Sequence, residues 1–180
     1  LIRSRGLGDV YKRQDPRYGT ILKLDNDKLS IYADGVRNSV GFDWHPETKE
    51  MYFTDNGRDW MGDDIPPCEL NRVVNAGDHF GFPFIHGKNI PDTGYEAPKD
   101  FVFSQPVWEF QAHTAPLGIK FYDGESFPEY YKNGAFVAQH GSWNRSEKVG
   151  YRLLFMKMEE GDVVSADVFI DGWMSNETSW

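Results

Sequence analysis

Short runs rich in β-branched and aromatic residues, punctuated by Gly, Asp, Asn and Pro, recur through residues 15–180 with no long helical period. Such runs bounded by turn formers read as strands. The pattern predicts strands at Thr20–Leu24, Leu29–Ala33, Ser39–His45, Glu50–Asp55, Glu69–Val74, Pro106–Phe110, Leu117–Tyr122, Ala135–His140, Tyr151–Lys157 and Val163–Ile170. A single helical turn is expected at Phe127–Lys132, where Pro128 is tolerated in a first turn. No window approaches the roughly 18 to 20 apolar residues that a spanning helix needs. Residues 1–30 hold no apolar run of signal-peptide length.

The strands repeat. Val40-Gly41-Phe42-Asp43-Trp44-His45 is echoed by Leu117-Gly118-Ile119-Lys120-Phe121-Tyr122, with Gly41 and Gly118 spaced 77 residues apart. Each echo leads into a further apolar strand, Met51–Thr54 in one and Phe136–Gln139 in the other. A third echo pairs Gly19-Thr20-Ile21-Leu22-Lys23-Leu24 with Gly150-Tyr151-Arg152-Leu153-Leu154-Phe155, running on to Asp34-Gly35 and Asp171-Gly172. The simplest account is an all-β, partial β-propeller of about two and a half four-stranded blades. The outer half of one blade lies at 19–35, whole blades lie at 36–112 and 113–172, and the first whole blade carries an insertion over about Asn75–Ser104. Propellers close with roughly 4 to 8 blades, and their loops carry the sites. A two-sheet sandwich would need fewer residues per repeat and leaves the insertion unexplained.

Of 180 residues, 39% are hydrophobic and 16% aromatic, enough for one sizeable core and a single domain. With 19 Lys plus Arg against 28 Asp plus Glu, the net charge of −9 argues against nucleic acid or an anionic membrane surface as partner. It suits a neutral small molecule or a bound cation. Cys68 is the sole cysteine, so no internal disulfide can form and the compartment stays open. The chain starts on Leu1, and its first 14 residues, LIRSRGLGDVYKRQ, are basic against an acidic remainder. Residues 1–14 are expected to be a leader foreign to the domain and residues 15–180 the domain proper. Trp180 ends the chain within a polar run, so a fragment of a longer propeller is expected.

The densest polar segment is Asp55-Asn56-Gly57-Arg58-Asp59-Trp60-Met61-Gly62-Asp63-Asp64, followed by Glu69. Oxygen-rich loops bent by glycines suit a hard cation such as Ca²⁺, which takes about 6 to 8 oxygen ligands. An EF-hand is excluded: counting from Asp55, the sixth position is Trp60 and the twelfth Pro66. A solvated acidic turn needing no ion is the alternative. Arg37-Asn38, after the turn at Asp34-Gly35, places a guanidinium and an amide at a strand entrance, a pair that suits a planar carboxylated or carbonyl-bearing ligand or caps the turn. His140-Gly141-Ser142-Trp143-Asn144-Arg145 sits at the matching end of another strand, but its order is not G-x-S-x-G and no βα unit follows. His113 precedes the second echo, while His79 and His86 lie among the insertion's phenylalanines, either packed or facing a ligand. The histidine spacings form no zinc set. Cys68 reads as a small buried residue and Gly81-Phe82-Pro83 as a turn with an aromatic plug. Asn144-Arg145-Ser146 and Asn176-Glu177-Thr178 match the short glycosylation sequon.

Taken in order, Gly35-Val36-Arg37-Asn38-Ser39-Val40-Gly41-Phe42, Thr54-Asp55-Asn56-Gly57-Arg58-Asp59 with Gly62-Asp63-Asp64, Glu69-Leu70-Asn71, His79-Phe80-Gly81-Phe82-Pro83, His113-Thr114-Ala115-Pro116-Leu117-Gly118 and His140-Gly141-Ser142-Trp143-Asn144-Arg145 form an ordered set. This set resembles the glucose/sorbosone dehydrogenase family, soluble six-bladed propellers that use pyrroloquinoline quinone (PQQ) and Ca²⁺, and within it the sorbosone dehydrogenase-like branch. The resemblance implies oxidation of a sugar at a carbon bearing a hydroxyl, with hydride passing to the quinone while the ion polarises the quinone oxygens. It implies that Arg37 and Asn38 contact the quinone and that the backbone carbonyls of Gly57 and Arg58 ligate Ca²⁺. Arg145 would face the cofactor carboxylates, with His113 and His140 as neighbours. A periplasmic or secreted location is implied in the same way.

Two departures stand out. Val40 occupies a position where soluble glucose dehydrogenases carry a glutamine, which puts glucose itself in doubt. The family's catalytic histidine lies further upstream of the Arg-Asn pair than the 36 residues before Arg37 reach, and a further basic cluster lies past Trp180. The general base is therefore expected outside this chain, and none of its five histidines takes that role. The competing readings are a Ca²⁺-dependent lactonase-like propeller hydrolase and a non-enzymatic sugar- or protein-binding propeller.

Overall fold

A computed structural model describes residues 15–142 and 144–174. The expected leader at 1–14, Trp143 and the terminal run with its 176–178 sequon lie outside the described residues. Among the described residues the chain forms thirteen strands: β1 Ile21–Asp25, β2 Lys28–Asp34, β3 Ser39–Trp44, β4 Met51–Asp55, β5 Cys68–Val73, β6 Asp78–His79, β7 Ile85–His86, β8 Ile90–Pro91, β9 Trp108–Phe110, β10 Pro116–Phe121, β11 Ala135–Gln139, β12 Arg152–Glu159 and β13 Asp162–Ile170. One 3-10 turn spans Glu129–Tyr131, inside the expected helical turn.

Two four-stranded sheets, β3-β4-β5-β9 and β10-β11-β12-β13, are the two whole blades, both antiparallel meanders. The β1-β2 hairpin is the outer half-blade, so the partial propeller read from the repeat is the fold. Unforeseen are three two-residue strands in the insertion. One of them, β6, pairs in parallel with β2 through Ala33 with Asp78 and Asp34 with His79, and so carries a strand from the second blade into the first. Strands this short leave no hydrophobic pattern to read.

The blades hold together through two apolar clusters. Tyr52, Cys68, Leu70 and Phe110 pack against Ile119, Phe121, Val137, Leu154 and Met156 of the next blade. Ala33, Val36, Met51, Phe53, Val73 and Phe80 join the half-blade to the second blade. At roughly 25 cal/mol per Å² of buried apolar surface, these facing sheets are the main source of stability. The inner strands β3 and β10 approach most closely where the echoed glycines meet: a Cβ on Gly41 would lie 2.8 Å from the Leu117 carbonyl oxygen and 2.9 Å from the Gly118 Cα. The Asp43 carboxylate crosses the same seam, accepting from the Phe121 N–H at 2.8 Å and from Lys120 Nζ at 2.9 Å.

The insertion docks by polar clamps as well as by Phe80, whose ring meets Phe53 at 4.9 Å. Glu69 accepts the Gly87 N–H at 2.6 Å and the Asn71 Nδ2 at 2.9 Å, and Glu109 accepts the Lys88 N–H at 2.8 Å. The Asp92 carboxylate accepts from the Arg58 guanidinium and bonds His86 Nε2 at 2.8 Å. Glu69 is fully buried, and burial together with the neighbouring Asp55 charge pushes its carboxyl up to about 8.

Two outcomes follow from this packing. Gly41→Ala forces backbone against backbone and is expected to cost about 1–3 kcal/mol in urea denaturation, whereas Gly94→Ala, where the nearest atom to an added Cβ is a flexible Asp92 carboxylate oxygen at 3.5 Å, should be near neutral. Because the Glu69 carboxyl titrates higher in the folded chain than in the unfolded one, its contribution is complete below the unfolded value near 4.5 and is lost as pH rises through about 8. The urea midpoint should therefore decrease as pH rises from about 4.5 to about 8 and level off above that. Glu69→Gln should flatten that slope, at lower absolute stability because an NH₂ replaces one of two accepting oxygens.

Candidate functional site

The site grows from the end of β4. Asp55 is buried, and its two carboxylate oxygens accept successive backbone N–H groups, Oδ2 from Arg37 at 2.8 Å and Oδ1 from Asn38 at 2.6 Å. Burial pushes this carboxyl up to about 6, and the two N–H groups and the Arg37 charge oppose the rise. The clamp fixes the Arg37-Asn38 peptide at the entrance to β3. From there the Arg37 guanidinium reaches across the loop that follows β4, its Nη1 donating to the carbonyls of Asn56 at 3.0 Å and Gly57 at 2.7 Å, its Nη2 to the Asp59 carboxylate at 3.3 Å. Asn56 ties back through Nδ2 to the Asn38 carbonyl at 3.0 Å, while its Oδ1 is buried with no hydrogen-bond partner. Gly57 has no room for a side chain, since a Cβ would lie 2.5 Å from the Pro67 carbonyl oxygen.

The next blade supplies the opposite wall. His113, in the left-handed region at φ 65°, meets the Gly62 carbonyl through Nε2 at 2.7 Å. A carbonyl only accepts, so Nε2 carries the proton and the neutral ring keeps Nδ1 as an acceptor. The loop 59–64 is laced to the third blade: Asn144 Nδ2 donates to Asp59 at 3.4 Å, the Ser146 N–H to Asp63 at 3.1 Å, and the Arg145 guanidinium to the Asp63 carbonyl and, at 2.9 Å, the Asp64 carboxylate. The Ser146 bonds hold the Asp63 carboxyl below its usual range.

Between the two walls lies a cavity of about 180 Å³ lined by Arg37, Asn38, Asn56, Gly57, Asp59, Cys68, His113, Ala115, Leu117 and Gly141. Complete ligand pockets run to roughly 300–1,000 Å³, so this cavity is sized for an edge of a ligand. Of the residues singled out in the sequence, the fold brings Arg37, Asn38, Gly57 and His113 together here. Three others do not line the cavity. The Arg58 side chain turns to Asp92, Arg145 is engaged by residues 63–64, and His140 borders a separate apolar cavity of about 400 Å³ with Leu117, Ala138, Leu153 and Trp173.

The remaining histidines are structural. His79 accepts the Gly81 N–H at 3.0 Å and packs edge-on to Phe101 at 4.9 Å, and His45 accepts from Glu47 and Thr48. Burial holds His45, His79 and His86 below the ordinary imidazole value. Cys68 is buried as expected, with its thiol pushed up by burial, and it also borders the cavity. Within the acidic segment, Asp59 is partnered by Arg37 and Asn144, and Asp63 and Asp64 by Arg145 and Ser146. Among the described residues no group of three or more His, Cys, Asp or Glu could hold a metal ion, and no helix is long and apolar enough to cross a membrane. What the sequence did not single out is the work of Asn56 and Asp59, which lay within a quoted motif but acquire their roles only from the cross-blade contacts.

The donor set fits a planar, carboxylated, carbonyl-bearing group: a guanidinium, two amides, a histidine and the apolar side chains of Ala115 and Leu117, with the buried Asn56 Oδ1 left to accept from a donor or to meet an ion. The oxygens of Asn56, Gly57 and Asp59 also form a donor set suited to a hard cation, and at present a guanidinium occupies them.

Comparison with known proteins agrees with this fold. The chain is 44% identical over 162 residues to an uncharacterized protein of Borreliella burgdorferi, covering 88% of this chain and 43% of that protein. Among solved structures it is similar to the Trichoderma reesei Carbohydrate-Active Enzymes Family AA12 protein, studied with iodide, at 22% identity and TM-score 0.67 over 80% of this chain and 45% of that one. It is similar also to the PQQ-bound Aldose Sugar Dehydrogenase of Streptomyces coelicolor, at 20% identity and TM-score 0.65 over 94% and 44%. The Pyranose Dehydrogenase PQQ domain of Coprinopsis cinerea matches at 19% identity and TM-score 0.63 over 94% and 51%. The chain thus spans about half or less of the length of each of these proteins. The TrAA12-like family model matches residues 69–168, more than half of the sequence, and the chain belongs to that family.

Proposed function

We propose that the protein containing this chain is a PQQ-dependent sugar dehydrogenase acting on an aldose or sorbosone-type substrate, and that residues 15–180 supply part of its cofactor wall. The observation that carries this reading is the cavity built around the Arg37-Asn38 peptide, which Asp55 locks in place with both carboxylate oxygens. Fold likeness to proteins described as PQQ-bound or as a PQQ domain supports it. Bound PQQ would supply the hydride acceptor for oxidation of a sugar carbon bearing a hydroxyl.

The chain's own residues bind and orient. The Arg37 guanidinium meets carboxylate or carbonyl oxygens of the ligand, with the bidentate geometry that an ammonium could not offer. Asn38 and Asn56 set the plane of the ligand through their amides, and Ala115 and Leu117 keep that edge dry, which strengthens each polar contact. His113, proton on Nε2, presents an acceptor. The Gly57 and Arg58 carbonyls are the proposed Ca²⁺ ligands, while Arg145 and His140 are assigned to the periphery, Arg145 by holding the loop that carries Asp59. The base that removes the sugar proton lies outside residues 15–180, and a periplasmic or secreted location belongs to the same reading.

The test is reconstitution of the metal-free protein with PQQ and CaCl₂, followed by dye reduction with a panel of aldoses and sorbosone. Activity should require PQQ, and Arg37→Ala should weaken PQQ binding by about tenfold to a hundredfold, the loss of a charge-assisted contact. Arg145→Ala should act more weakly. Absence of PQQ binding with Ca²⁺-dependent lactone hydrolysis would replace this reading by the hydrolase.

A further inference from the structure

Three oxygens, the carbonyls of Asn56 and Gly57 and the carboxylate of Asp59, converge within 3.3 Å of one positive group, the Arg37 guanidinium. A fourth, Asn56 Oδ1, is buried beside them with no hydrogen-bond partner. The cluster therefore demands a cation, and the fold supplies one from its own chain. We propose that Arg37 is an exchangeable internal cation: its guanidinium and a divalent ion at the Gly57 carbonyl compete for that oxygen and its neighbours, and entry of the ion hands the guanidinium to an anionic ligand in the adjoining cavity. The inference rests on the quinone reading only for the identity of that anion.

The geometry carries the exchange in three steps. A divalent ion on the Gly57 carbonyl repels the guanidinium, which sits 2.7 Å from the same oxygen, and so favours its displacement. The backbone of Arg37 does not move with it, because Asp55 holds the Arg37 and Asn38 N–H groups independently of the side chain. The head group, only 16% exposed, can pivot only about a fixed Cα that already lines the cavity. A guanidinium displaced toward the cavity brings its positive charge there, which favours an anionic ligand. Cation and anion thus each favour the other, and linkage makes the effect reciprocal.

The measurement is calorimetric titration of the intact, metal-free protein with CaCl₂, with and without saturating PQQ, repeated for Arg37→Gln and Asp59→Asn. Wild type should bind Ca²⁺ about tenfold or more tightly once PQQ is present, within the usual range of coupling between sites. Arg37→Gln, which keeps the Asp55 clamp, should bind Ca²⁺ about tenfold more tightly without PQQ, and PQQ should then shift its affinity by less than about twofold. Asp59→Asn should weaken Ca²⁺ in every case. Equal Ca²⁺ affinity in wild type and Arg37→Gln, or unchanged coupling in the variant, overturns the exchange, as does Ca²⁺ binding indifferent to Asp59. If PQQ binds neither protein, the quinone reading fails, while the Ca²⁺ difference between wild type and Arg37→Gln still decides the exchange.

Discussion

A buried carboxylate with two backbone N–H groups on it organises this molecule. Asp55 ends the second strand of its blade in full burial, where an unsatisfied charge would be costly, and it is satisfied by the peptide that opens the first strand. The same contact closes the inner edge of the blade and sets the point from which Arg37 and Asn38 project. Replacing it would free the Arg37-Asn38 peptide from which the side-chain contacts to the loop at 56–59 are made. Fold and site are thus fixed by one interaction, and neither can vary without the other.

Much of the architecture was legible in the sequence, for a definite reason. Strands such as Met51–Asp55 and Ala135–Gln139 are apolar runs bounded by turn formers, and a blade must be built from the same run–turn unit each time, so the repeat exposes the fold. The 77-residue spacing of Gly41 and Gly118 has a direct physical origin, since the two glycines lie against each other where the inner strands converge. The insertion was legible only as an insertion. Its β6–β8 strands are two residues each and are held by Glu69, Glu109 and Asp92, contacts among residues far apart in the chain that leave no periodic trace.

The candidate site divides along the same line. Arg37, Asn38, Gly57 and His113 stand at strand entrances and loop bends, where the repeat itself places them on one face. Arg58, Arg145 and His140 occupy equivalent-looking positions, but their surroundings decide otherwise: Asp92 draws Arg58 away, residues 63–64 hold Arg145, and His140, just past the end of β11, borders the other cavity. Glu69 looked like a cation ligand in sequence, yet burial with two hydrogen-bond donors on its oxygens makes it a fastening for the insertion.

The parallel pairing of β6 with β2 changes how such a repeat array can come apart. In a simple radial stack each blade closes on itself, touches its neighbours through side chains alone, and can loosen as a unit. Here a segment that leaves one blade after its third strand runs out to zip onto the previous one before returning at β9. Peeling these two blades apart requires shearing backbone hydrogen bonds as well as separating apolar faces, whereas the seam between the second and third blades relies, among the described residues, on side chains for its hold.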